Sequence, residues 1–138
     1  MDEQKLSFTQ LDVLKEIGTI GSATAATALA DLVAARVEIS VPQVSLVPLE
    51  NLSMILASAD KLYFVLDMEF NGDIGGRIFL LFSPEDAKFL ASVLLGKSKE
   101  ELDFNDDMFK SALKEACNIL GGAYISALAD ITHITMLT

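Results

Sequence analysis

The sequence predicts an α/β domain in which two long helices pack with a largely antiparallel sheet. Three observations lead there: an alanine-rich helical segment that occurs twice, two alternating apolar runs joined by a glycine-rich turn, and an order of elements that goes helix, strands, helix and then a second long helix.

The first helix is announced by Ser7 and Gln10, which have capping-box spacing, with Phe8 and Leu11 opening an apolar run. Thr9 is the rival cap. The pattern carries to about Ala34, with apolar positions at Val13, Leu14, Ile17 and Ile20. Small residues fill the stretch from Gly21 to Ala30 and permit another element to approach the helix axis closely, as in a well-buried helix. Residues 36–49, RVEISVPQVSLVPL, alternate and are rich in Val and Ile, which predicts a strand edged or interrupted by Pro42 and Pro48. Residues 61–70, KLYFVLDMEF, predict the next strand. Asn71-Gly72-Asp73, with Gly75 and Gly76 behind it, then turns the chain into an antiparallel partner at 77–82. Ser83-Pro84-Glu85-Asp86 supplies a cap, a proline at the first helical position and acids in the first turn, and Gly96 ends that helix. An acidic connection from Lys99 to Asp107 leads into the last long helix, from about Asp106 to Asp130. Ile131 to Leu137 alternates weakly and can begin a strand.

Composition bounds the function. The 138 residues carry 10 Lys+Arg and 20 Asp+Glu, a net charge of −10. Such a chain is a poor nucleic-acid binder, because that affinity comes mainly from neutralising phosphates. It is equally unsuited to an anionic membrane face. Apolar residues make up 51%, enough for a substantial core. No uncharged apolar run reaches the roughly 18 residues that span a bilayer, and the polar start MDEQKLSFTQ is unlike a signal peptide. A cytoplasmic, reducing setting is the natural expectation, with no membrane insertion. One cysteine, Cys117, excludes an internal disulfide and reads as a small core residue; one histidine, His133, leaves little room for a His-based metal or triad site.

Displacing the sequence by 99 positions lays Asp12–Leu32 over Ser111–Ile131, with 8 identities in 21 gap-free positions. LKE is shared at one end and ALAD at the other. The chain then reads as one domain over 1–138, with a first repeat at about 7–97, a partial second repeat at about 105–138, and a pseudo-two-fold relation between the two helices. The second unit has only its helix and the start of a strand, so a C-terminal truncation is expected, and a homodimer or strand swap that supplies the missing strands is a corollary.

Within the repeat, Asp12, Glu16 and Thr19 occupy the places of Ser111, Glu115 and Asn118. Residues at i, i+4 and i+7 share one face of a helix. A carboxylate there can grip a cation on a partner, and an amide, both donor and acceptor, can hold a water in one orientation. Spacing alone does not separate this from the polar stripe of an ordinary amphipathic helix.

These residues resemble the signature of the CheC/CheX/FliY family of chemotaxis phosphatases: Asp or Ser, then Glu four residues on, Asn three further on, and a proline after a gap of 22. The first unit offers Asp12, Glu16, Thr19 and, at that gap, Pro42; the second offers Ser111, Glu115 and Asn118, its proline position falling beyond Thr138. The segments LKEIGTIGSATAATALADL, VEISVPQVSLVP, GDIGGRIFLLF and GAYISALAD look most like CheC. The resemblance implies the pseudo-two-fold CheC-like fold and removal of the phosphoryl group from the aspartyl phosphate of CheY. Glu would pair with a lysine of CheY and Asn would position the attacking water. Mg2+ would be held by CheY, with no cofactor on this chain. CheD is implied as a second partner. Thr19 departs from the pattern, so Glu115 and Asn118 are expected to form the working site and Glu16 with Thr19 a degenerate one, Asp12, Ser111 and Pro42 supporting the two motifs. The alternative is a non-catalytic binding module, of the flagellar-switch FliY/FliM type or a CheD-binding regulator.

Overall fold

A computed structural model describes residues 6–41, 43–57 and 63–138. Its elements are α1 (Phe8–Val33), α2 (Leu49–Ala57), β1 (Phe64–Gly72), β2 (Gly76–Phe82), α3 (Pro84–Leu95), a short 3-10 turn (Lys99–Glu101), α4 (Asp107–Thr132) and β3 (Met136–Leu137). The fold class is as the sequence predicts: helices against a three-stranded antiparallel sheet, in the order β2-β1-β3.

Helix α1 starts where the capping signal stands. The Ser7 hydroxyl accepts from the Gln10 amide at 3.2 Å, and the Gln10 side chain accepts from the Ser7 amide at 2.9 Å. These bonds satisfy two of the N–H groups that a helix start leaves open. Thr9 lies inside the helix. Its C-cap is Ala34, in the left-handed region at φ 53°. The small-residue half of α1 is buried, as expected, through Gly18, Gly21, Ala25 and Ala26. The other half is not: Val13, Leu14 and Ile20 are exposed, Val13 and Ile20 because helical spacing puts them to the side of the Gly18–Gly21 seam, while Leu14, in line with that seam, is 38% exposed. The helix over the seam is α4, whose Tyr124 ring lies over Gly21, so that a Cβ there would meet ring carbons at 2.8 Å. Leu32 lies instead beside Met108 and Ser111, so the two long helices run antiparallel.

Residues 35–48 correct the expectation of a strand at 36–49. Those described have no ladder partner, and Pro42 lies outside the described residues. An alternating Val/Ile run makes a strand only when another edge lies alongside; β1 is paired on both sides, and neither β2 nor β3 pairs with the described part of this run. Helix α2 was not anticipated. Its signals are present in LENLSMILA: Pro48, whose carbonyl accepts from Asn51 at 2.9 Å, and Glu50 in the first turn.

The β1–β2 hairpin agrees with the expected pair in register: Phe64 faces Phe82 and Phe70 faces Gly76. Alternation sends Phe64, Leu66, Met68 and Phe70 to one face and Val65, Asp67 and Glu69 to the exposed one. The inner face packs on α3 and α4 around Ala87, Ala91, Leu102, Phe109 and Leu113. Phe64, Phe104 and Phe109 meet with ring centroids 5.2–5.5 Å apart, a spacing that favours tilted and edge-on aromatic pairs. The acidic connection is thus not merely solvated: Leu102 and Phe104 anchor it to the core. Met68 approaches α4 at Gly121, where a Cβ would lie 2.3 Å from its terminal methyl.

Helix α4 is capped by Asp106, whose carboxylate accepts from the Met108 amide at 3.0 Å, and it runs unbroken for 26 residues to an exposed His133 C-cap at φ 56°. The weakly alternating tail gives only the two-residue β3, held to the hairpin by paired bonds. Asp73 N–H donates to the Thr135 carbonyl, and Thr135 N–H donates to the Asp73 carboxylate, each at 2.9 Å. Gly72 is required at this crossing. Its φ is 145°, and a Cβ would stand 2.2 Å from the Thr135 carbonyl oxygen. Among the described residues, no helix is long and apolar enough to cross a membrane.

Candidate functional site

Helix α4 divides sharply into two faces. Phe109, Ala112, Leu113, Ala116, Cys117, Leu120 and Gly121 are buried, a run at helical spacing that pins one side of the rod to the core. Ser111, Glu115 and Asn118 lie on the opposite side, and all three are exposed. Their positions come from sequence spacing; their rigidity comes from the packed face behind them. Side chains three residues apart on a helix have Cβ atoms about 5–6 Å from each other, so the Glu115 carboxylate and the Asn118 amide stand side by side. The ion pairs of the described residues, Arg36–Glu38 and Arg77–Asp67, involve neither.

In α1, Asp12, Glu16 and Thr19 are likewise exposed on one face. Thr19 differs from its counterpart in a way the sequence only hints at. Its hydroxyl donates to the Lys15 carbonyl of its own helix at 2.8 Å. The proton is thereby committed, and what remains is a short acceptor. Asn118 carries an amide with two donors and an acceptor.

The antiparallel packing of α1 and α4 puts the two trios toward opposite ends of the helix pair, so the structure brings together the members of each trio but not one trio with the other.

Cys117 follows Glu115 and precedes Asn118 in sequence, yet it turns inward and is 3% exposed. Burial, with a smaller effect from the Asp67 carboxylate, raises its thiol above the ordinary cysteine value. A protonated, buried thiol is a poor nucleophile, which fits the core role expected for it. On the outer face of the hairpin, Arg77 holds the Asp67 carboxyl below its usual value through their hydrogen bonds. Among the described residues, no group of three or more His, Cys, Asp or Glu side chains is placed to hold a metal ion.

Comparison with known proteins follows the same two segments. The profile of the family described as chemotaxis phosphatase CheX matches residues 65–137, which hold α4 and its trio, and that of the CheC-like family matches residues 10–46, which hold the trio of α1. The chain belongs to the CheC/CheX family. It is similar to the CheY-P phosphatase CheC of Bacillus subtilis, 31% identical over 129 residues, covering 92% of this chain and 62% of that protein. It is also similar to the flagellar motor switch phosphatase FliY of Bacillus subtilis, 25% identical over 127 residues, 91% of this chain and 33% of that protein. Among solved structures, the fold matches FliY of Thermotoga maritima with a TM-score of 0.74 and 26% identity, covering 96% of this chain and 67% of that one. The chain thus spans about three-fifths of the CheC relative's length and a third of the FliY relative's.

Proposed function

We propose that this CheC/CheX-family chain promotes hydrolysis of the aspartyl phosphate on a CheY-type response regulator, with Glu115 and Asn118 as the working pair. The observation that carries the reading is the exposed carboxylate and amide, one turn apart on a helix whose other face is locked into the core. Glu115 pairs with a lysine of the regulator and sets the helix over its phosphorylated pocket. Asn118 enters that pocket and orients a water through its donor and acceptor atoms. The water oxygen forms a bond to phosphorus as the bond to the aspartyl oxygen breaks, yielding inorganic phosphate and the free carboxylate. Mg2+ in this reading is bound by the regulator. Such a transfer is governed by positioning and charge stabilisation, so this chain needs no nucleophile of its own, consistent with its buried Cys117 and exposed, capping His133.

Glu16 and Thr19 form the weaker site in this reading, because the Thr19 hydroxyl proton is spent on Lys15 and the side chain is too short to reach as far as an amide. The similarity to a CheY-P phosphatase, CheC of Bacillus subtilis, supports the substrate, and a cytoplasmic setting accompanies it. CheD is a further partner in this reading, on the ground of the resemblance.

The test is the decay of phosphorylated CheY with and without the chain. The reading expects decay to accelerate in proportion to the amount of chain added. Binding to phosphorylated CheY without acceleration would instead assign the chain a role as a binding module.

A further inference from the structure

An open groove of about 480 Å3 runs along α4 next to Glu115. Leu32 of α1, Leu94 and Leu95 of α3, and Met108 of α4 give it an apolar lining, and Asp107 and Glu115 are its charged members. Among the described residues, no lysine or arginine lines it. Leu32 and Met108 are exposed, at 41% and 50%, an arrangement that costs solvation unless something covers it.

The groove is continuous with the candidate site, since Ser111 and Glu115 belong to both. Whatever grips Glu115 therefore lies over Met108 and Leu32 as well. Two carboxylates on an apolar trough select an occupant with a cation beside a bulky apolar side chain. Among the described residues, α3 stands beside the second trio, where Leu94 and Leu95 line the groove with Ser111 and Glu115.

We propose that this groove is the anchoring pocket for the regulator itself: the regulator segment whose lysine meets Glu115 also places a large aliphatic or aromatic side chain among Leu32, Leu94, Leu95 and Met108. This rests on the function proposed above and names how that partner is chosen. A regulator with a polar residue beside its lysine is a poor substrate, because docking then leaves the apolar trough unfilled.

The experiment uses Leu32→Gln/Met108→Gln, both exposed positions, with Met54→Gln on α2, 70% exposed and outside the groove lining, as the control and thermal unfolding to confirm that each variant is folded. Dephosphorylation of phosphorylated CheY is followed at increasing CheY concentration, and binding is measured separately with CheY held in its active form by beryllofluoride. The double substitution is expected to raise KM about tenfold, roughly 1.4 kcal/mol, with kcat changed less than twofold, while Met54→Gln stays within twofold of the unsubstituted chain. Binding to beryllofluoride-loaded CheY should weaken by the same factor. If the folded double variant keeps KM and affinity, the groove is not the anchor, whatever the activity. If the unsubstituted chain binds without accelerating decay, and the double variant loses that binding, the anchor stands and the catalytic reading falls. If neither protein binds, both fall.

Discussion

Thr19 and Asn118 hold equivalent places in the repeat, and they differ in what their side chains have left to offer a water molecule. The threonine hydroxyl is tied to Lys15; the asparagine amide reaches outward from a face that packing cannot rotate. Restoring the amide in α1 should therefore restore function. In an Asn118→Ala background, Thr19→Asn is expected to raise the decay rate of phosphorylated CheY at least tenfold above that of Asn118→Ala alone, a fraction of the 10²–10³ that one well-placed hydrogen-bonding group is worth. No gain, in a folded double variant, would mean that the surroundings of Glu16 and not Thr19 disable the first site. The residues of both trios were legible from spacing, because a helix puts i, i+4 and i+7 on one face whatever surrounds it. The back-bond of Thr19 was not legible, since it depends on a rotamer.

At the scale of elements, capping chemistry and glycine placement were readable because each acts within a few residues. Ser7, Ser83 and Asp106 cap the three helices they were expected to begin. What failed needed distant information. Residues 36–49 have strand chemistry, but their described part pairs with no described strand. Val13 and Ile20 have core chemistry, yet the buried seam of α1 passes through Gly18, Gly21 and Ala25. Leu102 and Phe104 sit within an acidic run whose charge masked their role as anchors. The seam itself makes a prediction. A Cβ at Gly18 finds only ordinary contacts, 3.5 Å from the Tyr124 hydroxyl oxygen, whereas one at Gly21 strikes the Tyr124 ring at 2.8 Å. Gly18→Ala should stabilise the chain by up to about 1 kcal/mol through helix propensity. Gly21→Ala should destabilise it by about 1 kcal/mol net, overpacking of 1–3 kcal/mol outweighing the same gain. Thermal unfolding of the two variants checks the sign, and equal shifts would contradict the close crossing of α1 and α4.

The whole molecule carries a net charge of −10, and its site presents carboxylates on a helix ending in solvent. A field of that sign draws in a basic surface and raises its encounter rate by factors of 10–10³ at low salt. Because the Debye length shrinks to about 3 Å at 1 M salt, KM for phosphorylated CheY should rise several-fold between 50 and 500 mM NaCl while kcat stays constant. A KM indifferent to salt would remove charge from the account of docking. Length and the repeat bounded the class of molecule, but they did not show that α3 would stand beside the second trio, because that depends on how the hairpin and α3 fold back onto α4.

The most direct measurement of the central claim is single-turnover decay of phosphorylated CheY with a saturating amount of Asn118→Ala. The account predicts that kcat falls at least 100-fold while affinity for beryllofluoride-loaded CheY stays within twofold of the unsubstituted chain, because Glu115 still docks and only the water has lost its guide. Full acceleration by Asn118→Ala would contradict it.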